Sequence, residues 1–400
     1  MESRHRKLIL VSLGAVNPSE LAWLRRMPRF NALCARGTLV TGVESVFPSH
    51  PYPCLTSAIA GLPPQNHGIY DDARPGRQTG TQRWYRRHMQ SASLPFAAMK
   101  SGLRVASILW PVTGGLKSRV CVPDYFEMKQ GRLGGILHSD SSLFQASVLL
   151  KHGRLLPRRG KGGADAFAIA AALEALHGYS PDLLLLRLSE LDEVKKAHGA
   201  RSSEVRDALE RYDTRVGLLV DAVRARGLHD STDIVLFGGY GSLPVEKCVD
   251  LQPYFESMKR EVYLRQSGGI ACLRLARPKD EDLRRRTVQL LRAVADDPGA
   301  GIQRLLTEDE MRTSGLELAY EIGLEATPGW SFGPERVKAQ HGYTLERGDY
   351  QSFYLAAGPG VPEDMTLTGG SIMDICALAL ALLDIKPWSM EGRLHVPLKE

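Results

Sequence analysis

The sequence predicts an α/β protein with a doubly wound, mostly parallel sheet and helices on both faces. Three observations predict it. Short continuous apolar runs such as "LILVSL" and "LLLLRL" lack a helical period, as strands buried on both faces do. Segments with apolar residues at three- and four-residue steps alternate with these runs. Glycine-containing turns follow the runs, at Gly14 and in "GGYGS". In such sheets ligands bind beyond the carboxyl ends of the strands.

The first strand is "LILVSL", Leu8 to Leu13. After it, "SELAWLRRMPRFNALCARG" places Leu21, Leu24, Phe30 and Leu33 at roughly helical spacing, and Gly37 is expected to close that helix as a C-terminal cap. "TLVTGVESVF" returns to strand character. "SLPFAAMKSGLRVASILWP" repeats the unit, a helix closed at Gly102 and the strand "RVASILW". "GGADAFAIAAALEALHGYSPDLLLLRLSELD" repeats it again, with an Ala-rich helix and the strand Leu183 to Leu188.

Between Arg201 and Leu228, a long amphipathic helix carries Val205, Leu209, Tyr212, Val216, Leu219 and Val223 on one face. "TDIVLFGGYG" follows as a buried strand with a glycine-rich turn. Near the end, "QSFYLAAGPG" is a strand, and "SIMDICALALALLDI" is a helix opened by Ser371 with Asp374 three residues on. Residues from about 245 to 340 break the rhythm and read as an inserted cap within a single domain spanning 1–400.

A hydrophobic content of 43% with 24% charged residues describes an ordinary globular chain and excludes disorder. No apolar run approaches the roughly 18 residues of a membrane span, so no membrane role is expected. "MESRHRKLILVSLGAV" lacks the length and cleavage site of a signal peptide, which points to the cytoplasm. Six well-separated cysteines without a CxxC pair suggest neither a disulfide framework nor a zinc-thiolate site. The net charge of +6 is modest, and its densest cluster, "KHGRLLPRRGKGG" from Lys151 to Gly163, reads as a solvated basic loop. With no aromatic interleaving of basic residues, no nucleic-acid partner is expected.

The motifs "FPSHPYPCLTSAIAGLPPQNHGIYDD", "PDLLLLRLSELDEVKKAHG", "DIVLFGGYGS" and "QHGY" occur in one order along most of the chain. In that order they resemble the nucleotide pyrophosphatase/phosphodiesterase (type I phosphodiesterase) branch of the alkaline phosphatase superfamily, particularly its cytoplasmic bacterial members. The resemblance implies an alkaline-phosphatase-like fold. It also implies two divalent metals that activate a threonine nucleophile and neutralise the transferring phosphoryl group, held by aspartates and histidines at strand ends.

Position by position, the chain departs from that pattern. The aspartate ending the first strand is Gly14, and the threonine nucleophile is Pro51. The asparagine that donates to a phosphoryl oxygen is Asp72, whose carboxylate repels phosphate. Asp192 is kept, but the histidine four residues on is Lys196, which has no lone pair for a metal. The Asp-His pair after the later strand is Gly239 and Tyr240, while His341 is kept. Two metals and hydrolysis are therefore not expected, nor is any other cofactor; Asp192 and His341 are remnants of a lost site.

The expected function is that of a metal-free, non-hydrolytic pseudoenzyme. It would bind a small molecule, anionic or carbonyl-bearing, or a protein partner or second copy of itself. Gly14, Pro51 and Gly239 leave space, so an open pocket lined by Asp72, Asp192, Lys196, Tyr240 and His341 is expected at the former site. One alternative is a metal-independent acid/base enzyme of a biosynthetic pathway, a lyase, isomerase or transferase, using Asp192, Lys196, Tyr240 and His341. Another is a residual metal-dependent phosphodiesterase or phosphatase. Ser49 with His50 as its base is a weaker candidate, because adjacent residues of an extended chain point to opposite sides. His67 is expected to be a hydrogen-bonded structural histidine, and His88 and His198 to be exposed.

Overall fold

Strand β1 (Lys7–Leu13) runs through the middle of the molecule and is buried from Leu8 onward. A computed structural model describes residues 6–75, 81–82, 84–124, 141–156, 164–346 and 350–399. The second half of the basic cluster, 157–163, lies outside the described residues; in its first half Lys151 pairs with Glu174 at 2.9 Å.

The segment after β1 forms two helices, α1 (Pro18–Leu24) and α2 (Pro28–Cys34), where one was expected. Pro28 is the reason. It has no N–H to continue the first helix, and it holds the preceding Met27 in extended backbone, φ −85° and ψ 143°. Gly37 is not a cap but the first residue of β2 (Gly37–Val43). A Cβ there would lie 2.2 Å from the carbonyl oxygen of Ala356 on the neighbouring strand, so its role is close strand approach.

Then follow α3 (Pro51–Ala60), α4 (Leu94–Lys100), β3 (Val105–Ile108), β4 (Val120–Val122), α5 (Asp165–Gly178) and β5 (Leu183–Leu188). Next come α6 (Glu190–His198), the long α7 (Ser203–Ala225) and β6 (Thr232–Phe237). A separate four-stranded antiparallel sheet is made by β7 (Val262–Ser267), β8 (Ile270–Leu275), β9 (Ile302–Leu305) and β10 (Ile322–Ala326), with helix α8 (Glu281–Ala295) between β8 and β9. It has its own core around Leu273, Leu283, Leu291 and Leu324. The chain returns to the main sheet with β11 (Ser352–Ala357), β12 (Met365–Thr368) and helix α9 (Asp374–Leu382). Asp374 accepts a hydrogen bond from the Ser371 amide at 2.8 Å, and the Ser371 hydroxyl accepts one from the Met373 amide at 3.2 Å.

The main sheet has eight strands in the order β12-β2-β11-β6-β1-β5-β3-β4. Only β11 runs antiparallel to its neighbours. Successive residues of β1 feed opposite faces: Ile9, Val11 and Leu13 pack with α2, α5 and α7, and Leu8 and Leu10 with α3, α4 and α9. A strand covered on both faces gains from nearly every side chain, roughly 1.5–3 kcal/mol for each fully buried Leu, Ile or Val. That burial on both faces is why the continuous apolar run of β5 suits a strand in the sheet interior. No helix among the described residues is long and apolar enough to cross a membrane.

Candidate functional site

The parallel strands β1, β5 and β6 end side by side, and the turns that follow them meet the N-terminus of α3 and the segment around His341. Asp192 lies in the first turn of α6, where a carboxylate is favoured by the helix dipole. Lys196 follows one turn later on the same face, and its ammonium lies 2.9 Å from Asp192 Oδ2. Lys196 Nζ is 3.3 Å from His341 Nε2, and His341 Nδ1 is 2.9 Å from His50 Nδ1. Asp72 Oδ2 stands 4.0 Å from that same His50 nitrogen. The six residues expected to line a pocket or carry chemistry, Asp72, Asp192, Lys196, Tyr240, His341 and His50, therefore form one cluster.

The proton positions follow from chemistry. An ammonium can only donate, so His341 Nε2 accepts from Lys196 and its proton sits on Nδ1. That proton is directed at His50 Nδ1, leaving the His50 proton on Nε2, which has no partner among the described residues. Burial, with the Lys196 charge second, pushes the His341 pKa well below the usual histidine value. Burial likewise lowers that of His50, against a partial pull upward from Asp72. Both imidazoles are neutral. Burial also works against the Lys196 ammonium, but the carboxylates of Asp192 and Glu193 outweigh it and raise its pKa.

The space expected at Gly14 and Gly239 is filled rather than open. A Cβ at Gly14 would lie 2.7 Å from the Tyr240 hydroxyl, and one at Gly239 would lie 3.0 Å from Leu55 Cδ2. Tyr240 is 1% exposed; its hydroxyl is 3.5 Å from Asp192 Oδ2 and its ring meets His341 edge-on at 5.3 Å. The pocket expectation is thus corrected by packing: glycine at 14 admits a tyrosine from the neighbouring turn.

Pro51 shapes the site through what it lacks. Helix α3 begins Pro-Tyr-Pro, so two of its first three residues have no N–H. The Tyr52 amide, which could have cradled an anion, donates to Asp72 Oδ1 at 2.9 Å, and the Cys54 amide is bonded to the His50 carbonyl. Asp72 is a built-in anion at this helix terminus, and burial raises its pKa. Ser49 turns away from His50 and bonds the Tyr343 carbonyl at 3.0 Å and the Tyr350 hydroxyl at 2.6 Å, so His50 is not placed as its base.

A two-metal centre does not fit these residues. Gly14 and Gly239 offer no donor atom, Lys196 brings a positive charge, and the Tyr240 hydroxyl fills the ground between them. A different trio, His50, Asp72 and His341, offers ligand atoms within 4.8 Å of one another. Its two imidazoles are bonded to each other through their Nδ1 atoms, so a cation ligated by those nitrogens would have to break that contact, while Asp72 would keep its Oδ1 bond to Tyr52 and offer Oδ2.

Sequence reading missed three features. Lys195 is fully buried beside Lys196, bonding the Ala15 carbonyl at 3.0 Å, Asn17 Oδ1 at 3.0 Å and Glu20 Oε1 at 3.1 Å, which fixes the turn after β1. Its signal was its place one turn after the apolar Leu191. Arg187, the charged residue inside the apolar run of β5, pairs with Asp124 and its charge acts on His341 and Tyr240. Asp71 is held by Arg265 of β7, at 2.7 and 3.1 Å, across a separation of 194 residues that no local pattern reveals. His67 accepts from the Ile69 amide at 3.1 Å and contacts the Ser57 hydroxyl at 2.9 Å. His198 is exposed, whereas His88 is only partly so and accepts from the Tyr85 amide at 2.8 Å.

The pattern of the family described as type I phosphodiesterase / nucleotide pyrophosphatase matches residues 8–344. The chain belongs to that family. Venom phosphodiesterase 2 of Crotalus adamanteus is 23% identical over 420 residues, covering 96% of this chain and 46% of the snake protein. Ectonucleotide pyrophosphatase/phosphodiesterase family member 1 of Homo sapiens is 24% identical over 245 residues, covering 58% of this chain and 23% of the human one. The chain thus spans less than half the length of these relatives. In three dimensions, murine ectonucleotide pyrophosphatase/phosphodiesterase 5 superimposes with a TM-score of 0.73 at 15% identity, covering 97% of this chain and 98% of that one. The fold is therefore that of the family and is alkaline-phosphatase-like. Type I phosphodiesterase scaffolding surrounds the cluster described above.

Proposed function

We propose that this family member is a metal-free, non-hydrolytic pseudoenzyme, retained as a binding scaffold. The observation that supports the reading is the Tyr240 hydroxyl lying in the space of a Gly14 side chain while Lys196 is paired with Asp192. One substitution removes a ligand, and its neighbours convert the vacated ground into a closed hydrogen-bonded plug. Closure of the α3 N-terminus by Asp72 removes the phosphate cradle as well.

The test is hydrolysis of bis(p-nitrophenyl) phosphate and p-nitrophenyl thymidine monophosphate with added zinc or manganese, alongside metal analysis of the purified protein. Background rates and less than stoichiometric metal are expected. Metal-stimulated hydrolysis that disappears in Asp192→Asn would overturn the reading.

A second reading, a metal-independent acid/base enzyme, draws on the unbroken run Asp192, Lys196, His341, His50. It requires that Lys196→Ala and His341→Ala abolish a turnover of the purified protein; turnover unchanged in both variants would remove it.

A further inference from the structure

The former site lies at the carboxyl ends of β1, β5 and β6. At the opposite end of the same sheet, a cavity of about 210 Å³ opens between α2, the end of α7, the start of β6 and the turn after β11. Its floor is apolar, from Leu33, Val220, Val223, Ile234 and Ala357. Its rim carries Arg29, Arg36, Arg224 and His229 against two acids, Asp230 and Glu363.

The charges at the rim do not cancel. Glu363 is matched by Lys399 at 3.1 Å and Arg29 by Asp221 at 3.2 Å, while Asp230 lies 3.4 Å from His229, an ion pair only when that imidazole is protonated. The side chains of Arg36 and Arg224 have no hydrogen-bond or ion-pair partner among the described residues. Two guanidinium groups thus stand unmatched at the mouth of an apolar hollow.

A further polar group lies in the wall. Thr232, the first residue of β6, is 5% exposed, and its hydroxyl has no hydrogen-bond partner among the described residues. It shares a strand face with Ile234, which lines the cavity. A buried hydroxyl left unbonded costs about 1–3 kcal/mol, a cost that a polar atom of a bound molecule removes.

We propose that this cavity binds a small amphiphilic anion, with its apolar body on the floor and its anionic head between Arg36 and Arg224. Arginine forks suit carboxylate geometry, and their weak hydration lowers the cost of ordering them. The volume falls below the roughly 300–1,000 Å³ of pockets for drug-sized ligands, which sets the scale of the body to a short chain or a single ring. None of these residues belongs to the former site, so the inference is independent of any hydrolysis result there.

The test is isothermal titration of the full chain with sodium octanoate, compared with octanol and with inorganic phosphate. Saturable octanoate binding is expected, at least tenfold tighter than octanol or phosphate. The paired surface change Arg36→Ala with Arg224→Ala is expected to weaken it at least tenfold. Ala32→Trp, at an exposed lining position, is expected to abolish it by filling the hollow. Absence of saturable octanoate binding, equal binding of octanol or phosphate, or unchanged binding by both folded variants would overturn the proposal.

Discussion

The Tyr240 hydroxyl sits 2.7 Å from where a Cβ on Gly14 would be, so residues 226 positions apart share one side-chain space. Restoring an acid at position 14 therefore forces a clash before it can offer a ligand. Gly14→Asp is expected to cost about 1–3 kcal/mol, the usual penalty of overpacking. In a Tyr240→Ala background the same change should cost at least about 1 kcal/mol less, since contacting residues couple. Urea denaturation of the four members of this cycle checks it; additive effects would show that the two side chains do not compete.

Lys196 neutralises a carboxylate that has little else to satisfy it, because Asp192 Oδ1 is buried without a hydrogen-bond partner among the described residues. Lys196→Ala should destabilise toward the lower end of the about 3–5 kcal/mol that breaking a buried pair costs, since the lysine side chain keeps 22% exposure. Adding Asp192→Asn should recover part of the loss by removing the stranded charge. Equilibrium unfolding of the single and double variants decides it, and a double variant less stable than Lys196→Ala would refute the pairing.

His67 supplies an acid sensitivity with a defined sign. Burial lowers its pKa from 6.5 to about 3, and its Nδ1 must stay unprotonated to accept from the Ile69 amide. Between those values the unfolded chain binds the extra proton, so the contribution is complete above 6.5 and is lost as pH falls toward 3. At pH 5 the loss is about 2 kcal/mol. Denaturation midpoints at pH 7 and pH 5 should show a smaller acid loss in His67→Gln than in the unmodified chain.

Arg265 ties β7 to the loop that carries Asp72. Burial pushes the Asp71 pKa up, and the Arg265 charge and hydrogen bonds pull it below the usual carboxylate value. Arg265→Ala strands a buried carboxylate and should cost on the order of 3 kcal/mol. Hydrogen exchange is expected to speed up in 262–267 and around Asp72 together, with partial rescue by Arg265→Lys. Faster exchange confined to the β7 strand would mean that the ion pair does not couple the two regions.

The sequence by itself determined the central buried strands and the identity of what the site lacks. Burial on both faces writes a continuous apolar run, so β1, β5 and β6 were legible locally, and the absence of a donor atom at Gly14, Pro51 and Gly239 is a property of the residue types alone. The break at Pro28 was not read from the sequence, because the helical spacing on either side of it concealed it. What only the tertiary structure decided is what occupies the vacated ground. Tyr240 reaches Gly14, Asp72 takes the Tyr52 amide and His341 meets His50 because strands far apart in sequence end side by side. Side-chain volume and hydrogen-bond direction can be balanced only after the chain has brought those ends together.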